Sequence, residues 1–159
     1  MPSKVLSILD RAILPVRILF GALFLYTSVW HAIHAGKLLQ SIKDYQIISG
    51  PLVPWSGLVF IALEAGIAIT LIFGYFVRQA AITAAALLAV FTAAMISAIA
   101  RGLDIACGCG LGDTTVSWFD VVRDVVLIAI ALWIAWRTGK NEGAVTEETA
   151  EQLSSSTAK

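Results

Sequence analysis

The sequence predicts an all-α integral membrane protein: a four-helix up-down bundle with a short interfacial helix between spans 1 and 2. Two observations carry that prediction. The 159 residues are 58% hydrophobic and only 14% charged, against about 25% charge in an average globular domain. A soluble chain of this size needs a polar surface that these residues cannot make. The apolar residues also gather into four stretches, and a spanning helix needs about 20 of them in a row to cross a hydrocarbon core of roughly 30 Å.

The spans are expected at about residues 13–34, 55–77, 79–100 and 118–137. In the first, Pro15 lies near the start, where its missing N–H is tolerated. The second is entered through Pro51 and Pro54. The third carries no charge. The fourth is apolar from Val125 to Trp136 and is expected to begin near Ser117. There Ser117-Trp-Phe-Asp120 reads as a helix N-cap with an acid at the third helical position. The first span is too long for a cleaved leader and is read as retained. Together the spans make a transmembrane domain over residues 1–138. The polar tail, residues 139–159, is rich in Ser, Thr, Glu and Ala and is expected to be disordered.

Between the first two spans, Leu38, Leu39, Ile42 and Tyr45 recur at helical spacing, with Lys37, Lys43 and Asp44 elsewhere. That pattern predicts a short amphipathic helix at the interface. Only a few residues around Arg78 join spans two and three, which makes those spans antiparallel neighbours. In span three, Ala81, Ala85, Ala89, Ala93 and Ser97 form a small-residue ladder expected to face the other helices.

With four spans both termini share one side, with Lys4, Arg11, Arg78, Arg137 and Lys140. The other side holds Lys37, Lys43 and Arg101. The excess places the termini in the cytoplasm and residues 101–117 outside, where disulfides persist. Net charge is zero, with no basic stripe and no base-stacking motif, so nucleic acid is excluded as a partner. The lipid bilayer is the expected partner; a homo-oligomer or larger membrane complex stays open.

Two cysteines, Cys107 and Cys109, lie in Arg101-Gly-Leu-Asp104-Ile-Ala-Cys107-Gly-Cys109-Gly. Glycines at 108, 110 and 112 free the backbone to turn. A disulfide needs Cα atoms within roughly 4.4–6.8 Å, which an i, i+2 pair reaches through a turn. A ring that small is strained, and strained disulfides are labile and oxidising. Arg101 and the first amides of the fourth helix could stabilise a thiolate. Three readings stand side by side: a redox-active dithiol, a static clip, and two packed free thiols. Thiolates with His31 and His34 would also suit a soft metal ion, but a histidine beside Trp30 at a helix end reads more simply as interfacial, and no metal is assigned.

Glu64 lies near mid-span, where an ionisable group needs a partner in the bundle interior. It sits roughly 14 Å below the outer end, and Arg123 roughly 9 Å, at 1.5 Å per residue. Glu64–Arg123 is the pair this depth predicts, with Arg17 as second choice. His31, Glu64, Arg101, Asp104, Asp120, Arg123 and Asp124 all fall in the outer half, so a polar pocket is expected beneath the cysteines.

The chain resembles the DoxX/MauE group of four-span bacterial membrane proteins across most of residues 11–137. The resemblance rests on Arg17, Gly21 and Phe24, on Leu63-Glu64-Ala65-Gly66 and Gly74, and on Arg101-Gly102 leading to Cys107-Gly108-Cys109-Gly110. Trp118 and Arg123 follow as in the MauE branch. Members often carry Cys-Gly-Cys-Phe-Gly where this chain has Cys109-Gly110-Leu111-Gly112, and a Gly and a Lys near Ser28–His31. The resemblance implies a bacterial inner-membrane protein that helps mature extracytoplasmic disulfide-containing proteins. The chain is also similar to quinone-linked four-helix thiol oxidoreductases, which implies a quinone as electron partner. Those have two cysteine pairs; one pair cannot complete such a relay alone. The leading expectation is a thiol–disulfide oxidoreductase acting through Cys107 and Cys109, Cys109 attacking, on an extracytoplasmic thiol or disulfide protein. The alternatives are a non-catalytic assembly subunit and a small transporter or binder using Glu64 and Arg123.

Overall fold

The computed structural model describes the backbone except at Met1, Ser49, Asp104, 106–114 and 158–159, and side chains within residues 13–139 apart from those gaps. The order is α1 (Pro2–Ile33), α2 (Ala35–Asp44), α3 (Leu52–Phe73), α4 (Val77–Ala100) and α5 (Trp118–Thr157). Among the described residues there is no strand. Three helical segments are long and apolar enough to cross a membrane: Ile13–Ile33, Leu52–Phe73 and Val77–Ala100. The first two turns of α5 carry Asp120, Arg123 and Asp124, which leaves an apolar run from Val125 to Trp136.

Helix ends follow local chemistry. Pro54 falls in the first turn of α3, where backbone N–H groups have no intrahelical partner to lose. That lets α3 begin three residues before the expected Trp55. Its other end closes at Gly74, left-handed at φ 85°, whose N–H donates to the Thr70 carbonyl at 3.0 Å. A left-handed cap suits glycine because it has no Cβ to clash. The α5 start is the expected cap: the Asp120 carboxylate accepts from the Ser117 N–H at 3.0 Å and the Ser117 hydroxyl at 2.8 Å.

Two helix pairs dominate the packing, α1 with α3 and α4 with α5; α3 and α4 join them, and α1 touches α5 lightly. In the first pair the register is antiparallel. Gly21 sits against Ala68, Leu71 and Ile72, while the Ser28 hydroxyl donates to the Ile61 carbonyl at 3.3 Å. In the second, Arg78 lies at Gly139, and Met95 and Ala98 cluster with Val121. The main core is small and tight: Phe20, Phe24, Ala68, Leu71, Ala81, Ala84, Ala131 and Ile134 are all buried. Short side chains on α4 let α5 approach closely, as close packing in lipid requires.

Exposed aromatics mark both ends. Trp55 and Phe73 are exposed on α3, and Trp118 and Trp136 on α5. Each pair is 18 residues apart, or about 27 Å at the helical rise.

Several expectations need correcting. The packing face of α4 is not the four-residue ladder. Ala81 and Ala85 are buried, but Ala89 and Ala93 are exposed, and burial passes to Thr92, Met95 and Ala98. Four residues turn a helix by about 400°, so each step of such a ladder drifts about 40° round the axis. A face that stays against a neighbour advances in mixed threes and fours, as 81, 85, 92, 95 and 98 do. The expected amphipathic helix is present as α2, but its apolar side packs inward. Leu38 and Tyr45 are buried, and Leu39 reaches Gly57 so closely that a Cβ there would stand 2.7 Å from it. The α5 backbone continues as helix to Thr157. Residues 144–153 are rich in Ala, Glu, Gln and Leu, which are strong helix formers.

Candidate functional site

The polar groups predicted for the outer half converge at one end of the bundle. His31 is three residues from the end of α1 and Glu64 is on the α1-facing side of α3. The His31 Nδ1 lies 2.7 Å from Glu64 Oε2, with both residues about 95% buried or more. The contact fixes the ring's orientation. The Phe60 ring stands edge-on to His31 at 5.4 Å.

Across the interior, Arg123 holds two carboxylates of its own helix. Its Nη1 is 3.3 Å from Asp120 Oδ1, and its Nη2 and Nε lie 3.1 and 3.2 Å from Asp124 Oδ1. Asp124 is among the most fully buried side chains. His31, Glu64, Arg123 and Asp124 all line one cavity of about 60 Å³, closed by Phe24, Leu88 and other apolar groups of four helices. That volume is enough for water, and the walls are mostly apolar around these four ionisable groups.

The predicted partner of Glu64 is therefore corrected: the close contact is to His31. Depth along separate helices does not decide pairing when the helices are not neighbours. The α1–α3 interface brings His31 level with Phe60 and Glu64, whereas α5 packs chiefly on α4. Arg123 meets Asp120 and Asp124 within its own helix, and Arg17 lies at the other end, against Gly74. Glu64 and Arg123 both line the one small cavity. The sequence carried a signal for His31, an ionisable group one helix away in the same outer half; what hid it was the antiparallel register.

His31 and His34 do not act together. The His34 ring stacks on Trp30 at 4.0 Å, and its Nδ1 lies 3.1 Å from the Trp30 carbonyl. Among the described residues no group of three metal-binding side chains gathers. Arg101 serves as a clamp: its Nη2 donates to the Tyr45 carbonyl at 2.6 Å, tying the end of α2 to the end of α4.

Cys107, Cys109 and Asp104 lie outside the described residues. The segment that carries the cysteines is nonetheless bounded. The Val116 N–H donates to the Ile105 carbonyl at 2.9 Å, closing a neck beneath it. Leu103, Ile105 and Val116 pack on the Met95, Ala98 and Val121 cluster. The neck thus sits beside the first turns of α5, the helix that supplies Asp120, Arg123 and Asp124.

A second cavity, of about 200 Å³, lies between α2, α3 and α4. Its lining is almost wholly apolar, with Tyr45, Ile48 and Val90 among it. It shares Phe60, Leu87 and Phe91 with the polar cavity.

Comparison with known proteins places the chain. The family described as methylamine utilisation protein MauE matches residues 6–137. A methylamine utilization protein MauE of Paracoccus denitrificans is 34% identical over 124 residues, which is 76% of this chain and 66% of the relative. The match thus spans just under two thirds of that relative's length. No solved structure matches. The chain belongs to the MauE family of membrane proteins.

Proposed function

We propose that this protein is a four-span, up-down helical bundle of the bacterial inner membrane that carries out thiol–disulfide exchange through Cys107 and Cys109. Its termini face the cytoplasm, and the cysteine segment faces the outside. Its service would be the maturation of an extracytoplasmic protein, within the methylamine utilisation for which its relative is named. The reading of α5 as the fourth span is supported by its aromatic residues, spaced like those of α3.

The observation that carries the redox reading is placement. Ile105 and Val116, which flank the cysteine segment in sequence, are hydrogen-bonded next to the first turns of α5, and α5 brings Arg123 and Asp124 to the cavity that His31 and Glu64 also line. Thiol–disulfide exchange moves two electrons and two protons. One thiolate attacks a disulfide sulfur, a mixed disulfide forms, and a second thiolate resolves it. Cys109 is the attacking group in this scheme, being nearer the first amides of α5, with Cys107 resolving. Arg101, fixed to Tyr45 at the rim, and Asp104 would tune the thiolate. A lipid-soluble quinone is the second redox partner, exchanging the same two electrons and two protons. The apolar cavity beside Phe60 and Phe91 suits its ring.

The test is the redox state of both cysteines in intact cells, read with a membrane-impermeant thiol reagent before and after reduction. Labelling that appears only after reduction supports an oxidised pair outside the membrane. Single Cys107→Ser and Cys109→Ser variants should then trap a mixed disulfide with a second protein. Failure to label under either condition, with labelling after lysis, overturns both the topology and the mechanism.

One observation favours a second reading. Glu64 and Arg123 line one small cavity, as a mid-membrane binder of a small polar solute would require. In that case Glu64→Gln abolishes function, and replacing both cysteines by Ser does not.

A further inference from the structure

The opposite end of the bundle holds a different set of charges, unused by the site above. Arg17 of α1 lies over Gly74, where a Cβ would stand 3.0 Å from Nη1 and 3.2 Å from Nη2. Arg78, in the first turn of α4, lies over Gly139 of α5, where a Cβ would stand 3.2 Å from its Nε. Arg137, one helical turn or less from Gly139, is buried. Three arginines from three helices therefore gather round the short link from Gly74 to Phe76.

Their donors are not used up. Among the described residues, neither Arg17 nor Arg78 makes a hydrogen bond or an ion pair, and Arg17 Nε is buried without an acceptor. Five fixed N–H donors on each guanidinium match phosphate oxygens. The described carboxylates that could answer them, Asp44, Glu64, Asp120 and Asp124, all belong to the cavity end or to α2. In the sequence, Lys4, Arg11, Arg17, Arg78, Arg137 and Lys140 stand at this end against Asp10 and Glu142, with Glu147, Glu148 and Glu151 farther along the tail.

The surroundings say at what level this cluster sits. Phe73, Tyr75, Phe76 and Trp136 are all exposed around it. Aromatic side chains of this kind collect at the height of lipid headgroups. Basic pockets between helices on the cytoplasmic side are where anionic headgroups bind.

We propose that Arg17 and Arg78, with Arg137 behind them, form a phosphate-binding site that holds the headgroup of an anionic phospholipid. The two glycines make the site. Each lets an arginine side chain lie close on the backbone, at the α3 cap for Gly74 and within α5 for Gly139. The lipid would tie the α1–α3 pair to the α4–α5 pair at this end.

The full chain, purified in mild detergent, is offered phosphatidylglycerol and phosphatidylcholine in equal amounts, and retained lipid is counted by native mass spectrometry. The unaltered protein retains phosphatidylglycerol in preference. Arg17→Gln and Arg78→Gln each lower that preference about fivefold, the worth of one basic residue near a charged headgroup. Arg17→Lys and Arg78→Lys keep most of it, and so serve where the Gln variants fold poorly. Arg101→Gln, at the other end, leaves it unchanged. A parallel melting curve in inorganic phosphate against chloride at equal ionic strength separates the sources. Protection by phosphate without lipid preference assigns the site to a soluble anion. Equal retention of both lipids with no phosphate effect overturns the proposal. So does an equal loss in Arg101→Gln, which would make the preference a matter of net charge.

Discussion

The two ends of this bundle solve the problem of charge in a membrane in opposite ways. At the cavity end, ionisable groups are buried deeply and answer one another: His31 with Glu64, Arg123 with Asp120 and Asp124. At the terminus end, cations lie on glycine backbone at the rim, among exposed aromatics. The first arrangement is costly to assemble and collapses if one member is lost, because a buried charge without its partner is strongly unfavourable. The second sets guanidiniums against helix backbone, with Arg137 and the Arg17 Nε buried there. What separates the ends is the buried carboxylates of the first, since the residue types at both are charged.

The sharpest way to break this contrast is at Glu64. Glu64→Ala leaves His31 buried without its carboxylate and is expected to destabilise the protein by about 3–5 kcal/mol. It should also abolish exchange with the partner protein. Thermal unfolding in detergent, compared with Arg78→Gln, checks it; equal losses at both ends would erase the distinction drawn here. Next comes Asp124→Ala. It removes the acceptor of two Arg123 nitrogens and should cost about 2–3 kcal/mol, the range for hydrogen bonds to charged groups. Recovery in the double variant Asp124→Ala with Arg123→Leu would show that the loss came from a stranded cation.

The terminus half is probed by packing. Gly21→Val pushes a side chain into Ile72, Leu71 and the Ala68 carbonyl and should cost about 2 kcal/mol through overpacking. The mixed-disulfide yield per folded molecule should be unaltered, since Gly21 does not itself line the cavity. A changed yield at unchanged stability would mean that the ends are coupled. The smallest effect is expected from Ser117→Ala, which removes one of the two bonds to Asp120 and should cost about 1 kcal/mol, as loss of a helix cap does. Hydrogen exchange confined to the first turn of α5 would identify it.

Much of the architecture was legible because it depends on local composition. Runs of apolar residues located the segments Ile13–Ile33, Leu52–Phe73 and Val77–Ala100 to within a few residues. Ser117 and Asp120 announced the start of α5, since a cap is a contact across three positions. The helix over Leu38 to Tyr45 was equally visible from its spacing. What escaped depends on how separate helices meet. The His31–Glu64 pair needs the register of α1 on α3, which apolar runs do not encode. The face of α4 needs the direction of its neighbours, so a ladder that seemed regular in sequence drifted off the interface.

The aromatic residues at the two ends have a consequence for the membrane itself. Trp55 to Phe73 on α3, and Trp118 to Trp136 on α5, each measure about 27 Å along the helix, a little less than the roughly 30 Å of an average hydrocarbon core. Aromatic anchors at that spacing favour a hydrocarbon layer slightly thinner than the average. In a thicker bilayer the lipid must thin around them, at a fraction of a kcal/mol for each ångström. Bilayer thickness is thus a variable to which this protein should respond, with its greatest stability in lipids of shorter chains.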